Sequence, residues 1–270
     1  DREPMSSISP ETYYSTAAQL EANLNDEYPN VLPSFGQWTY GIFGEDKGTD
    51  NQIEVNANDR YTQDRWKVPH SESDNWKFER IYRINFFLSE ALPKFGEDMS
   101  GSQNTISGSV ATIKHYIGEM YFLRAYEYFK KLQLFGDFPI IDQPLADEME
   151  ALREASKRFP RNEVARFIIS DLDKAYAYMS DVDMATTRIN KDVAMLVKSR
   201  VALFEATWLQ NFKGTAFVPG GEGWPGASLH NNYQYPSGNI DNEVKYFLEQ
   251  AVEASKLVAD KYKGSLTENT

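Results

Sequence analysis

Residues 109–135 constrain the fold more than any other stretch of the chain. Apolar residues recur there at helical spacing twice over. Ile113, Ile117, Met120, Tyr121, Tyr128 and Leu132 fall on one face, and Phe122, Tyr126 and Phe129 on another. A helix with one apolar stripe is covered from one side, whereas two stripes demand cover from two sides. The spacing therefore predicts an all-α protein in which this helix, running from about Ser109 to Phe135, lies between stacked helical layers. Gly136 ends it, and Asp137-Phe138-Pro139 turns the chain into a short extended apolar segment.

The rest of the chain supplies the layers. Ser9-Pro10-Glu11 reads as a helix start, with Ser9 as N-cap and Pro10 at the first helical position. Tyr13, Ala17, Leu20 and Leu24 follow at helical spacing, and Pro29 and Pro33 are expected to end that helix. A second helix is expected from near Asp74, its N-cap, towards Leu92-Pro93. Residues 96–108 read as a loop and 142–159 as an extended crossing segment. Pro160 opens a further helix with the stripe Val164, Ile168, Leu172, Ala175 and Met179. Asn190 caps the next, and Asp241 the last. Helix centres are unevenly spaced, so the chain is no regular 34-residue array.

Two long segments, 29–75 and 211–239, have no helical period. They are rich in Gly, Asn, Asp, Pro and large aromatics. Long loops inside a compact domain are usually functional or disordered, and five large aromatics in the first argue against disorder.

Composition removes several classes of function. The 270 residues have a formal net charge of −12, which opposes non-specific binding to nucleic acid or anionic lipid. There is no cysteine, hence no disulfide and no thiolate chemistry. No apolar run approaches the ~18 residues of a membrane span. His70, His115 and His230 stand apart, outside any His-Glu-x-x-His arrangement. Gly221-Glu222-Gly223-Trp224-Pro225-Gly226 fits a dinucleotide fingerprint only formally, because it follows a helix and Trp and Pro obstruct approach to a pyrophosphate. Neither Asp171/Asp173 nor Asp181/Asp183 continues into a calcium loop. No catalytic residue, metal site or cofactor is expected. A carboxylate pair for glycoside hydrolysis is set by spatial separation, which 40 acidic residues leave open.

Tyr121-Phe122-Leu123-Arg124-Ala125-Tyr126, followed by Leu134-Phe135-Gly136-Asp137-Phe138-Pro139-Ile140-Ile141, resembles the central signature of the SusD/RagB family. Three further stretches agree in order: Asp1-Arg2-Glu3-Pro4 through Tyr13, Trp76 with Tyr82-Arg83-Ile84-Asn85, and Pro160-Arg161-Asn162-Glu163-Val164 through Ala175. The resemblance spans most of residues 1–210. One departure is Phe159, where members often place Ser or Thr before the proline, so a side-chain cap is lost. Family members are usually much longer. The resemblance thus implies that residues 1–270 are the amino-terminal portion of a single SusD-like domain, all-α, with tetratricopeptide-like helical pairs and long aromatic-rich loops.

It also implies function. Members are outer-membrane, cell-surface lipoproteins that bind oligosaccharide or peptide without catalysis. They lie over a TonB-dependent, SusC-like transporter. The anchor would be a lipidated cysteine upstream of Asp1. A pyranose offers an apolar C–H face and a belt of hydroxyls, which Trp and Tyr rings and Asp, Asn or Arg groups match. Residues 29–75 hold that mixture in Trp38, Asp50, Arg60, Tyr61 and Trp66, with Asp50, Arg60 and Trp66 near the positions the family uses. Trp224, between Gly223 and Pro225, is the second candidate for glycan stacking. Each stacking ring would contribute on the order of 1–2 kcal/mol. The same tryptophans could equally pack their loops onto the helices, and Asp50-Asn51 could simply make a turn. The rival functions are binding of peptide or another nutrient, an α-helical interaction scaffold, and an all-α glycoside hydrolase.

Overall fold

The computed structural model describes residues 13–33, 51–52, 75–96, 98–180, 184 and 187–265. Among the described residues the regular structure is helical, in the order α1 (Ala17–Val31), α2 (Glu79–Phe95), α3 (Val110–Phe135), α4 (Met149–Ala155), α5 (Arg161–Tyr178), α6 (Lys191–Asn211) and α7 (Ile240–Tyr262). A short 3-10 turn covers Pro225–Ser228. None of these helices is long and apolar enough to cross a membrane.

The helix with two apolar faces is the centre of the molecule. Residues 115–125 of α3 are buried without a break, and α1, α2 and α5 all pack on it. Polar contacts give the directions. Asn85 and Lys131 link α2 to α3 in antiparallel register, through Arg124 and Asn75. Arg161 at the start of α5 meets Glu205 late in α6. Lys213 beyond α6 bonds Asp241, while Lys261 late in α7 bonds Asp192. α2–α3, α5–α6 and α6–α7 are therefore antiparallel neighbours, the arrangement of stacked helical hairpins. Gly118 permits the closest approach of α3 and α5. A Cβ there would stand 2.8 Å from the Met179 nitrogen and 2.9 Å from the Ala175 carbonyl oxygen.

Buried arginine–carboxylate pairs tie the layers together. Arg124 on α3 makes a bidentate pair with Asp171 on α5, at 2.6 and 2.8 Å. Its remaining Nη1 donates to the Asn85 side chain and the Asp142 carbonyl, both at 2.9 Å. Arg188 grips Glu119, and Arg166 grips Glu243 at 2.7 and 2.8 Å. His115 accepts the Ser180 N–H at Nδ1 (3.1 Å), which leaves Nε2–H to face the Ile189 carbonyl oxygen at 3.0 Å. Every one of these charges lies between helices, where burial without a partner would cost several kcal/mol.

Several boundaries differ from the sequence expectation, and the helix starts expected at Ser9 and Asp74 lie outside the described residues. As described, α1 starts at Ala17. Thr16 caps it, in a capping box with Gln19. Pro29 does not end α1. The helix runs two residues further because buried Val31 and the Leu32 N–H to Tyr28 carbonyl bond hold its last turn. α2 runs past Pro93 to buried Phe95, which packs on Tyr178. Residues 142–159 are not wholly extended but contain α4, which buries none of its residues and so shows no apolar stripe to read. The last helix is capped by Asn239, whose side chain accepts the Asn242 N–H, rather than by Asp241.

Candidate functional site

The turn that ends α3 builds a site. Asp137, one residue past the Gly136 cap, is a half-buried junction of three elements. Its Oδ1 accepts the backbone N–H of Arg161 at 2.9 Å, and its Oδ2 accepts the Trp224 indole N–H at 2.7 Å. The first bond supplies from a distance the cap that α5 lacks, because Pro160 at its N-cap has no side-chain donor or acceptor. It also sets a carboxylate at the positive end of the α5 dipole. Burial pushes the Asp137 carboxyl above its ordinary value of 3.8, against the pull of the Trp224 and Arg161 hydrogen bonds.

Trp224 folds back over its own loop. A Cβ on Gly226 would come within 2.2 Å of the indole ring, so this turn needs glycine. The ring stacks on His230 at 6.0 Å and lies against Tyr233 at 5.6 Å. It is 5 % exposed. The sequence placed it at a loop tip, but it is a wall residue, with its polar tip spent on Asp137.

Beside this latch is a cavity of about 600 Å³, within the ~300–1,000 Å³ usual for ligand pockets. Phe135, Trp208, Phe217 and Trp224 form its aromatic walls, with Arg158, Arg161 and Asp137 as its charged groups. Leu134, Phe217 and Leu229 stand more than half exposed. Arg161 is already engaged. It makes a bidentate pair with Glu205 at 2.9–3.1 Å and lies 4.1 Å from the Trp208 ring centre. The Trp208 indole N–H donates to the Phe217 carbonyl at 3.0 Å, which fixes the 212–217 turn against α6.

Arg158 is held differently. Its guanidinium lies 4.6 Å from the centre of the Trp76 ring. Trp76 is itself wedged edge-on against Phe135 and Phe138, each at 4.9 Å. The Arg158 carbonyl receives the His230 Nε2–H at 2.8 Å, and Phe159 next to it exchanges two backbone hydrogen bonds with Phe138. Both the backbone and the ring beneath Arg158 are thus fixed.

Of the residues expected from sequence to bind glycan, Trp38, Asp50, Arg60, Tyr61 and Trp66 lie outside the described residues. Trp224 alone is described, and it lines the cavity. Asp137, Arg158, Trp208 and Phe217 were not singled out as site residues. Asp137 stood in the signature as a turn residue, and nothing local in the sequence marked the other three as site residues. Among the described residues no cluster of three or more His, Asp or Glu could hold a metal ion.

Comparison with known proteins agrees with this architecture. A solved SusD-like carbohydrate-binding protein from Bacteroides vulgatus superposes with a TM-score of 0.52 at 14% identity, covering 92% of this chain and 45% of its own. At that identity the likeness is one of fold. SusD-like protein P2 of Formosa agariphila is 26% identical over 230 residues, covering 81% of this chain and 42% of that protein. SusD-like protein P25 of the same organism is 24% identical over 227 residues, covering 77% and 40%. The chain thus spans about two-fifths of the length of these curated relatives. The SusD-like family described as "starch-binding associating with outer membrane" matches residues 1–203 of 270. With its helical hairpins, the Arg124 pair at its centre and a family match over most of its length, the chain belongs to the SusD-like family.

Proposed function

We propose that this chain binds oligosaccharide or polysaccharide at the outer-membrane surface and hands it to a TonB-dependent, SusC-like transporter, breaking no bond. The observation that carries the reading is the family match over residues 1–203, whose description is starch-binding in association with the outer membrane. The cavity beside Asp137 supports it. Its aromatic walls suit the apolar face of a sugar, and its fixed rings and turns would lose little entropy on binding. Trp38, Asp50, Arg60, Tyr61 and Trp66 are proposed to add stacking and hydroxyl contacts, and Trp224 to hold the cavity wall. A lipid anchor upstream of Asp1 would keep the protein at the membrane.

Affinity gel electrophoresis of the full-length protein against a polysaccharide panel tests the reading. Retardation by at least one glycan, with no product released, is expected. If no glycan retards it, the saccharide reading fails. Appearance of shortened glycan would point to a hydrolase instead. For the transporter, the test is co-purification from mildly solubilised outer membrane, and recovery of the protein alone would count against a stable complex. Exposed Leu134 and Leu229 at the cavity mouth favour a second reading, capture of peptide through an apolar side chain.

A further inference from the structure

The cavity beside Asp137 holds charge differently from the helix interfaces. Arg83, Arg124, Arg161, Arg166 and Arg188 each lie within ion-pair distance of a carboxylate. Arg158 lines the cavity and makes no ion pair within 4 Å among the described residues, although the Asp137 carboxylate on the same cavity acts on it at longer range. The nearby carboxylates are committed elsewhere. Asp137 Oδ1 and Oδ2 each already accept a hydrogen bond, from Arg161 N–H and Trp224 N–H, and Glu205 is taken by the Arg161 guanidinium. A ring-stacked guanidinium keeps its in-plane N–H donors free, and that fork matches a carboxylate or sulfate in bidentate geometry.

We infer that the cavity takes an anionic saccharide, a sugar bearing a carboxylate or a sulfate, whose charged group pairs with Arg158 while its C–H face lies on the exposed ring of Phe217. The inference rests on the saccharide reading above and narrows its substrate class. The arginine is prepared for the role. The Trp76 face fixes its plane, and the His230 and Phe138–Phe159 bonds fix its backbone, so pairing orders little that is not already ordered. The overall charge of −12 opposes an anionic polymer at long range. At about 0.15 M salt, charges beyond about 8 Å are largely screened, so the local contact decides.

The test uses the full-length protein at that salt, in native gels and in titration calorimetry. The probes are polygalacturonate and alginate for carboxylate, dextran sulfate for sulfate, and pullulan and laminarin as neutral glycans. A short acidic peptide is run beside them. Wild type is expected to bind at least one anionic glycan. Arg158→Gln should weaken that binding about tenfold or more while leaving any neutral glycan unaffected. Arg158→Lys, which keeps the charge and loses the fork, should fall between. The carboxylated and sulfated arms say which anion is recognised. Unchanged anionic binding by a folded Arg158→Gln variant overturns the inference. Binding of neutral glycans alone overturns it while the saccharide reading stands. Retention of the acidic peptide and of no glycan overturns both in favour of a polypeptide ligand.

Discussion

Arg124 lies inside the family signature and Arg158 beyond it, and each guanidinium lies over an aromatic side chain. Arg124 sits about 5 Å from Tyr121 and Phe167, buried, with all three nitrogens hydrogen-bonded, to Asp171, Asn85 and the Asp142 carbonyl. Arg158 sits on Trp76 at the surface, with its ring platform equally fixed and no carboxylate within ion-pair distance among the described residues, Asp137 acting on it only at longer range. The same motif, an arginine on an aromatic, is a fastener in one place and an open contact in the other. What separates them is whether the chain supplies the acceptor. A saturated buried arginine cannot respond to a ligand, while an unsaturated one at a cavity can.

The comparison is broken most severely at its closed member. Arg124→Met would leave buried Asp171 without its bidentate partner and with only the partly exposed Lys174 at 3.7 Å, which should cost about 3 kcal/mol in chemical denaturation. A loss under about 1 kcal/mol would mean that the pair is not the fastener described here. Next comes the Asp137–Trp224 latch. Trp224→Phe keeps a buried ring but removes the indole N–H, so Asp137 Oδ2 loses its donor. Destabilisation of about 1–3 kcal/mol is expected, with the far-ultraviolet signal of the helices retained.

The two carboxylates Glu243 and Asp137 sharpen the comparison through pH. Burial alone would raise Glu243, but hydrogen bonds from Arg166, Asn162 and Ser237 outweigh it and hold the group below its ordinary value of 4.5. Its contribution is therefore present above pH 4.5 and is lost as pH falls through the lower folded value. Asp137 has the opposite sign. Its folded value is raised above 3.8, so its contribution is present below that pH and fades as pH rises through the folded value. Glu243→Gln should cost about 1.5 kcal/mol at neutral pH and flatten the fall of Tm on acidification below pH 4.5. An unaltered acid limb in the difference profile would sink this assignment.

Much of the scaffold was legible because its signals are local. Ser109, Asn190 and Gly136 mark helix ends by short-range chemistry, and α3 declared its central place through two apolar stripes. The errors have one cause, which is that tertiary packing overrides local rules. Pro29 and Pro93 lie inside helices because Val31 and Phe95 are buried beyond them, and α4 has no buried stripe to announce it. The cavity was less legible for the same reason. Asp137 and Trp224 are 87 positions apart, and Arg158 and Trp76 are 82 apart. No periodicity joins residues that meet only when α3, α5 and the 212–239 loop converge. Trp224 was noticed as a loop aromatic, but its partner was readable only as a turn.

The smallest expected change in stability separates cavity from surface. Phe217 on the cavity wall is 61% exposed, and Leu196 on the outer face of α6 is 51% exposed. Neither side chain buries enough area to matter to the fold, so Phe217→Ala and Leu196→Ala should each stay within about 0.5 kcal/mol of wild type. Their binding should differ. Removing a ring that stacks on a sugar face forfeits about 0.5–1.5 kcal/mol, or roughly threefold to tenfold in affinity, while Leu196 faces no cavity. Glycan retention in affinity gels should therefore fall for Phe217→Ala and hold for Leu196→Ala. Equal retention by both would detach the cavity from ligand binding. The aromatic-rich stretch of sequence between Pro33 and Asn75 would then carry the saccharide reading, and Arg158 would be an open arginine without a ligand.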